Sequence, residues 1–308
     1  MLLRDIRKGD VPDVVAALEM IEAAAPDILL LTGFDTDYDG LTAAAFAQAA
    51  GFDHVYSRIA NSGAATGRDL DKDGRLGEPE DAQAYGDFTG QRGMVLLSNL
   101  PVDVDASRHF DDLLWKDFAQ ATIPEGFFDA GDLDILRLST AGHWDVAVTW
   151  QGAPLHVLAF AASAPVFDGD EDRNGRRNAD EIALWRAYMS GDLGPAPAGE
   201  VVVVGNANLD PLDGDGQHDA IRELLADPRL QDPMPAAVRD MPEPNPEHRG
   251  DPTLDTADWS DPMPGNLRVS YVLPAASLSV LDAGLMWSPS GEGEVRFRHA
   301  IVWTDLAR

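Results

Sequence analysis

Val201-Val202-Val203-Val204-Gly205-Asn206-Ala207-Asn208-Leu209-Asp210 joins four consecutive valines to a glycine and then to polar side chains. The valine run predicts a buried strand, and Gly205 with Asn206 marks its end. A strand that ends this way sets Asn206, Asn208 and Asp210 at the carboxyl edge of a sheet, where ligands collect in α/β folds. Taken alone, the same residues also make an ordinary strand-ending turn.

Working outward, the chain alternates. Residues 14–25 predict an amphipathic helix with Val14, Ala17, Leu18 and Ile21 on one face, ended by Pro26. Residues 28–31 are strand-like, and residues 41–50 predict an Ala-rich helix stopped by Gly51. Residues 61–93 are long, polar and rich in Gly and Asp, the composition of a loop with a task or of an insertion. Further strands are expected at 94–98, 145–150, 155–160, 201–205, 267–273 and 297–303, with helices at 180–189 and 219–226. Pro and Gly crowd 191–199 and 234–264, which read as loops, and too little chain follows the second for another domain. The expectation is one α/β domain over residues 1–308, without a regular βαβ repeat.

The 308 residues contain no Cys, 53 acidic and 23 basic side chains, and a net charge of -30. A hydrophobic content of 44% supports a real core, so global disorder is excluded. Without Cys there is no disulfide and no thiolate site. No apolar run approaches the ~20 residues that span a bilayer. The acidic balance disfavours nucleic acid, whose binders displace counterions with a basic face, and favours solubility and attraction of divalent cations. Met1 to Asp5 carry charges where a secretion signal needs apolar residues, which leaves the compartment open: cytoplasmic, or outside the cell if the start is upstream or the chain is already processed.

Two segments match the calcium-loop spacing D-x-[DN]-x-[DN]-G-x5-E: Asp69, Asp71, Asp73, Gly74 and Glu80, and Asp170, Asp172, Asn174, Gly175 and Glu181. Calcium takes six to eight hard oxygens, glycine permits the tight turn, and the distal Glu closes the shell. Acidic turns are common in so acidic a chain, but two complete matches are expected to hold Ca²⁺ as a structural ion. A paired EF-hand is not expected, because Pro165 interrupts the segment entering the second loop.

The landmarks together resemble the endonuclease/exonuclease/phosphatase superfamily of metal-dependent phosphoesterases. They are, in order, Pro26-Asp27-Ile28-Leu29-Leu30-Leu31, Gly93-Met94-Val95-Leu96-Leu97-Ser98, Gly205 to Asp210, Arg268-Val269-Ser270-Tyr271-Val272-Leu273 and Arg298-His299. The longer stretches Val166 to Asn178 and Gly250 to Asp258 resemble a bacterial branch. The resemblance covers nearly the whole chain. It implies an α/β four-layer sandwich of two packed mixed β-sheets flanked by helices, with the first family strand lacking from residues 1–308. It also implies a Mg²⁺ or Mn²⁺ ion, a water-activating Asp beside a phosphate-contacting Asn, and two histidines that stabilise the phosphoryl oxygens.

At those motifs the sequence departs from the pattern. Asn206 stands at the water-activating position, and an amide does not accept a proton near neutral pH. Ser270 and Arg298 replace two Asp, Ala161 replaces the mid-chain His, and Gly33 stands where the metal-binding Glu belongs, with Asp35 as a partial substitute. Asn208, Asp210, His299 and His143 are retained, and Arg298 offers a fork of donors to phosphate. Three readings follow: a phosphoesterase whose catalysis is lost or reduced, its binding role open and a small phosphoester among the ligands it could take; an active metal-dependent phosphohydrolase that reassigns Asp210, Asp35 and His299; and a calcium-stabilised binding module.

Overall fold

The computed structural model describes residues 2–237, 247–260, 263–289 and 295–308. In chain order the elements are α1 (Leu2–Lys8), α2 (Pro12–Ala24), β1 (Ile28–Phe34), α3 (Leu41–Ala50), β2 (His54–Tyr56), β3 (Gly93–Ser98), β4 (Val102–His109), α4 (Ala130–Leu133), β5 (Gly142–Trp150), β6 (Ala153–Ala161), α5 (Arg173–Ser190), β7 (Glu200–Asn206), α6 (Asp219–Leu225), β8 (Ala257–Asp258), β9 (Asn266–Leu267), β10 (Ser270–Pro274), β11 (Ser279–Met286) and β12 (Ile301–Ala307).

The two larger sheets run β1-β3-β2 and β10-β7-β6-β5-β4. Only the second is mixed, through the parallel β6–β7 pair; the first is antiparallel throughout. Strand β3 shows how the layers form. Met94 and Leu96 face Trp144, Val146 and Val157 in the main core, whereas Val95 and Leu97 face Ile6, Val14, Ile21 and Phe46 of the helices α1 to α3. The two-residue period of a strand sends alternate side chains to opposite layers. On the far side of the larger sheet, α5 lays Trp185 against Phe160 and His143, with ring centroids 6.1 and 5.4 Å apart. The result is helix, sheet, sheet, helix.

Local chemistry sets several boundaries. Pro12 opens α2, and Ala25 closes it in the left-handed region just before Pro26. Gly51 closes α3 in the same way. The strand expected at 267–273 is broken in two. Arg268 donates its N–H to Asp210, and Val269 and Ser270 donate theirs to Thr256 Oγ1, so side chains take the bonds a ladder would have used. The strand expected at 297–303 begins only at Ile301, with His299 held by a single bridge to Ala257. Strand β1 takes one ladder partner, β3, among the described residues. Part of the 234–264 stretch, residues 238–246 and 261–262, lies outside the described residues.

Register builds the functional edge. Ala161 pairs with Asn206 and with Gly142, and Asn206 pairs with Ser270. The end of β6, the end of β7 and the starts of β5 and β10 therefore lie side by side and form a mouth.

Candidate functional site

At the centre of the mouth, Asn206 and Asn208 satisfy each other. Asn206 Oδ1 accepts from the Asn208 N–H at 2.9 Å, and Asn206 Nδ2 donates to Asn208 Oδ1 at 3.1 Å. Asn208, in the left-handed region at φ 49°, turns its own Nδ2 onto the Ala162 carbonyl at 2.7 Å. A carboxylate at 206 has no N–H for the second bond, so the amide is integral to this turn. Neither group is left to take a proton from water.

Asp210 is equally committed. Its Oδ1 accepts from Leu212 N and Asp213 N, and its Oδ2 from Arg268 N, at 2.7–2.8 Å. Asp35 lies beyond β1, where its Oδ1 accepts from Arg92 N. His299 packs edge-on against Trp259 at 5.4 Å, and burial beside Arg298 lowers it to about 4, so it is neutral at physiological pH. The Arg298 guanidinium lies over Trp259, 5.9 Å from the ring centroid.

His143 sits in the core between β5 and α5, fully buried. Its Nδ1 meets Ser139 Oγ and its Nε2 meets the Glu181 carbonyl, both at 2.9 Å. A carbonyl only accepts, so Nε2 carries the proton. Burial lowers this imidazole to about 4. The expected catalytic histidine is thus a core group with both nitrogens occupied.

The two calcium patterns diverge. In the first, Gly74 N donates to Asp69, Asp73 N to Asp71 and Arg75 N to Asp73, which curls the loop. The carboxylate that turns inward is Asp81, whereas Glu80 is exposed. A 3-10 turn at Pro79–Asp81 carries Asp81 inward, where it accepts from Leu70 N and Gly77 N. Carboxylate oxygens of Asp69, Asp71 and Asp81 lie within 4.8 Å of one another, close enough to hold a cation between them. Burial, with Asp73 and Asp81 close by, pushes Asp71 up. Asp69 Oδ1 is buried without a hydrogen-bond partner.

The second pattern forms no such loop. Asp172 takes the left-handed conformation and α5 starts at Arg173, so Asn174 is helical and donates to the Val166 carbonyl. Asp172 accepts from Gln217. Glu181, two turns into the helix, points into the core. Asp170 joins no acidic cluster among the described residues.

One polar cluster was not expected as a unit, because two of its members come from the Pro-rich stretch read as loop. His248 lies between two buried carboxylates, with Nδ1 3.6 Å from Asp213 and Nε2 3.4 Å from Asp255. Burial, with Asp210, Asp213 and Asp251 nearby, raises Asp255 to about 8. Arg268 beside it is neutralised by a two-pronged pair with Asp232 at 2.6 and 2.8 Å.

Two sheets packed face to face, with strand exits gathered at one polar edge, define a class of α/β sandwich on which phosphoesterases are built. A family model described as Endonuclease/Exonuclease/phosphatase family matches residues 6–292, and the chain belongs to that family. Solved structures carry the same fold. An endonuclease/exonuclease/phosphatase from Beutenbergia cavernae aligns with TM-score 0.58 and 16% identity over 96% of this chain and 66% of its own, so this chain spans just under two thirds of it. The 3′ phosphatase NExo from Neisseria, bound to a product DNA hairpin, gives 0.53 and 16% over 96% and 94% of the two chains. A mannosyl-6-phosphatase from Bacteroides thetaiotaomicron gives 0.52 and 13% over 99% and 95%. No curated protein matches the sequence. The Neisseria structure holds DNA, so the comparisons lend no support to the exclusion of nucleic acid drawn from charge. No helix among the described residues is long and apolar enough to cross a membrane.

The family is in general metal-dependent, but the mouth does not fit its ion. Gly33 offers no ligand, Asp35 bonds a backbone N–H, Asn206 and Asn208 bond each other, and Asp210 holds three backbone N–H groups. The acidic cluster among the described residues is the Asp69, Asp71 and Asp81 loop instead.

Proposed function

We propose that this chain keeps the phosphoesterase scaffold as a binding protein for a small phosphoester, with hydrolysis lost or strongly reduced. The observation that carries the reading is the closed Asn206–Asn208 amide pair, which stands where the resemblance implies a general base and offers no proton acceptor. The neutral, half-buried His299 beside Arg298 supports it, since such a histidine supplies no charge to a phosphoryl oxygen. The engaged carboxylate of Asp210 weighs against a reassigned base. Arg298 is the candidate phosphate contact.

A small ligand is favoured over a polyanion. Arg58, Arg137 and Arg268 around the mouth loops are already paired with Asp111, Asp112 and Asp232, and the whole chain carries a charge of -30. We further assign Ca²⁺ to the Asp69, Asp71 and Asp81 loop as a structural ion. The unpartnered Asp69 Oδ1 supports that assignment, because a buried carboxylate oxygen without a donor is costly unless a cation meets it.

Amide shift mapping with p-nitrophenyl phosphate tests the reading. The expected result is saturable shifts at Asn206, Asn208 and Arg298 without release of nitrophenol. Absence of any shift at these residues overturns the binding role, and rapid product release overturns the loss of catalysis.

A further inference from the structure

The stretch that matched the second calcium pattern runs into the helix it opens, where residues 177–181 are buried, and what they touch gives them another task. Arg177, Asn178 and Glu181 lie on one face of α5, at the i, i+1 and i+4 positions, so Arg177 and Glu181 are stacked one turn apart. All three are buried.

Each ties down chain that leaves or enters the mouth. Asn178 Nδ2 lies 2.6 Å from the Ser163 carbonyl and 2.7 Å from the Ala207 carbonyl. Two carbonyls only accept, so this atom is the NH₂ and spends both protons there. The amide thereby bridges the segment after β6 to the segment after β7, one residue before Asn208. Glu181 Oε2 accepts from Ser163 N and Oγ, and its Oε1 from Thr140 N and Oγ1, all at 2.7–2.8 Å. That links the β6 exit to the chain entering β5. Arg177 donates to the carbonyls of Leu138 and Arg137 on the same entering chain. Burial raises Glu181 and lowers Arg177 to about 10, and each charge opposes the other's shift, so the pair is held as a mutually dependent unit.

We propose that Arg177, Asn178 and Glu181 form a positioning lock that sets the three strand connections of the mouth, and with them the Asn206–Asn208 turn, from behind. This deepens the binding function proposed above and rests on that reading of the mouth. Asn178 is the keystone: it holds Ala207 from below while Asn208 holds Ala162 from above, so the β6 and β7 exits are cross-braced twice. All three are buried and act through the backbone they carry.

Amide hydrogen exchange tests the lock, read on the full chain with Ca²⁺ present. The variants are Asn178→Leu and the milder Thr140→Val, which removes one hydroxyl from Glu181 and keeps the fold within reach if the first fails to fold. Each lost buried bond changes a local opening equilibrium by about 3- to 10-fold. Expected for Asn178→Leu is ~10- to 100-fold faster exchange at Ala162, Ala207 and Asn208, with the central β5–β6 ladder at Val146 and Leu158 unchanged. Thr140→Val is expected to accelerate the β6 exit by ~3- to 10-fold, and p-nitrophenyl phosphate affinity to fall in both variants. Equal acceleration at the ladder and the mouth would mean a general core role and overturn the proposal, as would unchanged exchange at the mouth. If the parent binds no phosphoester, the binding function fails, while the exchange pattern still decides the lock.

Discussion

Asn206→Asp introduces the acid that the family resemblance implies at this position, and the geometry predicts that it harms this chain. The carboxylate keeps the bond from Asn208 N, but its second oxygen faces Asn208 Oδ1 where Nδ2 now donates at 3.1 Å. Asn208 escapes only by rotating its amide, which withdraws Nδ2 from the Ala162 carbonyl. Either way about one hydrogen bond is lost and one acceptor is left facing another. A lost bond is worth about 1 kcal/mol and an unsatisfied buried partner up to about 3 kcal/mol. The site is half-buried, which places the expected loss at roughly 1–3 kcal/mol at pH 7. With about 2–4 °C per kcal/mol for larger domains, Tm falls by roughly 2–12 °C. The acid form of the new side chain donates again, so its folded-state pKa lies above the unfolded value near 4, and the penalty shrinks as pH falls towards about 4 and is gone below it. Paired thermal melts of parent and variant from pH 3.5 to 8 measure the difference, and the parent's own pH dependence cancels. A variant as stable as the parent at pH 7, or a penalty that does not change with pH, would refute the reasoning.

Three further outcomes follow from the structure. Millimolar Ca²⁺ raises Tm relative to EDTA, by about 2.7 kcal/mol of stabilisation at one hundred times the dissociation constant. Asp69→Asn and Asp81→Asn abolish that shift, whereas Glu80→Gln leaves it; a shift lost in Glu80→Gln and kept in Asp81→Asn would return the closing ligand to Glu80. His143 resonances titrate near pH 4 in the folded state. The unfolded imidazole binds its proton near 6.5, so the stability this group contributes is complete above about pH 6.5 and is lost as pH falls towards 4; a folded-state midpoint above 6 would contradict it. Glu181→Gln places an NH₂ against N–H and O–H donors that now point at a carboxylate, and destabilises by about 2–4 kcal/mol in urea unfolding; a loss below about 0.5 kcal/mol would mean that Glu181 is not ionised there.

Much of the fold was legible because short-range chemistry agreed with packing. Helix α3 ends where Gly51 permits the left-handed turn, and β7 runs through the valines to Asn206. Strand β4 was missed because an edge strand reading Val-Asp-Val-Asp-Ala-Ser-Arg-His is largely exposed, and pairs β5 only at its two ends. The calcium spacing was ambiguous for a different reason. Alternate acids with a glycine fit a loop round an ion, but Asp172 also serves as the residue that starts a helix, and then Asn174 and Glu181 diverge. Nor does spacing reveal that the turn opened by Pro79 brings Asp81, one residue after Glu80, inward. The cluster of Asp213, His248 and Asp255 is assembled by long-range packing across a Pro-rich stretch and left no periodic trace. The departures at Asn206, Ser270 and Arg298 were readable from residues alone; that the first of them is locked to Asn208 needed coordinates.

The central claim is that chemistry has left a mouth whose scaffold remains. Steady-state hydrolysis by the unmodified chain tests it most directly, with p-nitrophenyl phosphate, bis-p-nitrophenyl phosphate and a 3′-phosphorylated DNA end as substrates and Mg²⁺, Mn²⁺ and Ca²⁺ in turn. Loss of a general base removes about 10²–10⁴-fold in rate, and loss of a charge-stabilising donor about 10²–10³-fold. The account predicts turnover at least about 10²-fold below 1 s⁻¹ with every substrate and ion, and no change on His299→Ala. Turnover above about 1 s⁻¹ that disappears in His299→Ala would contradict it.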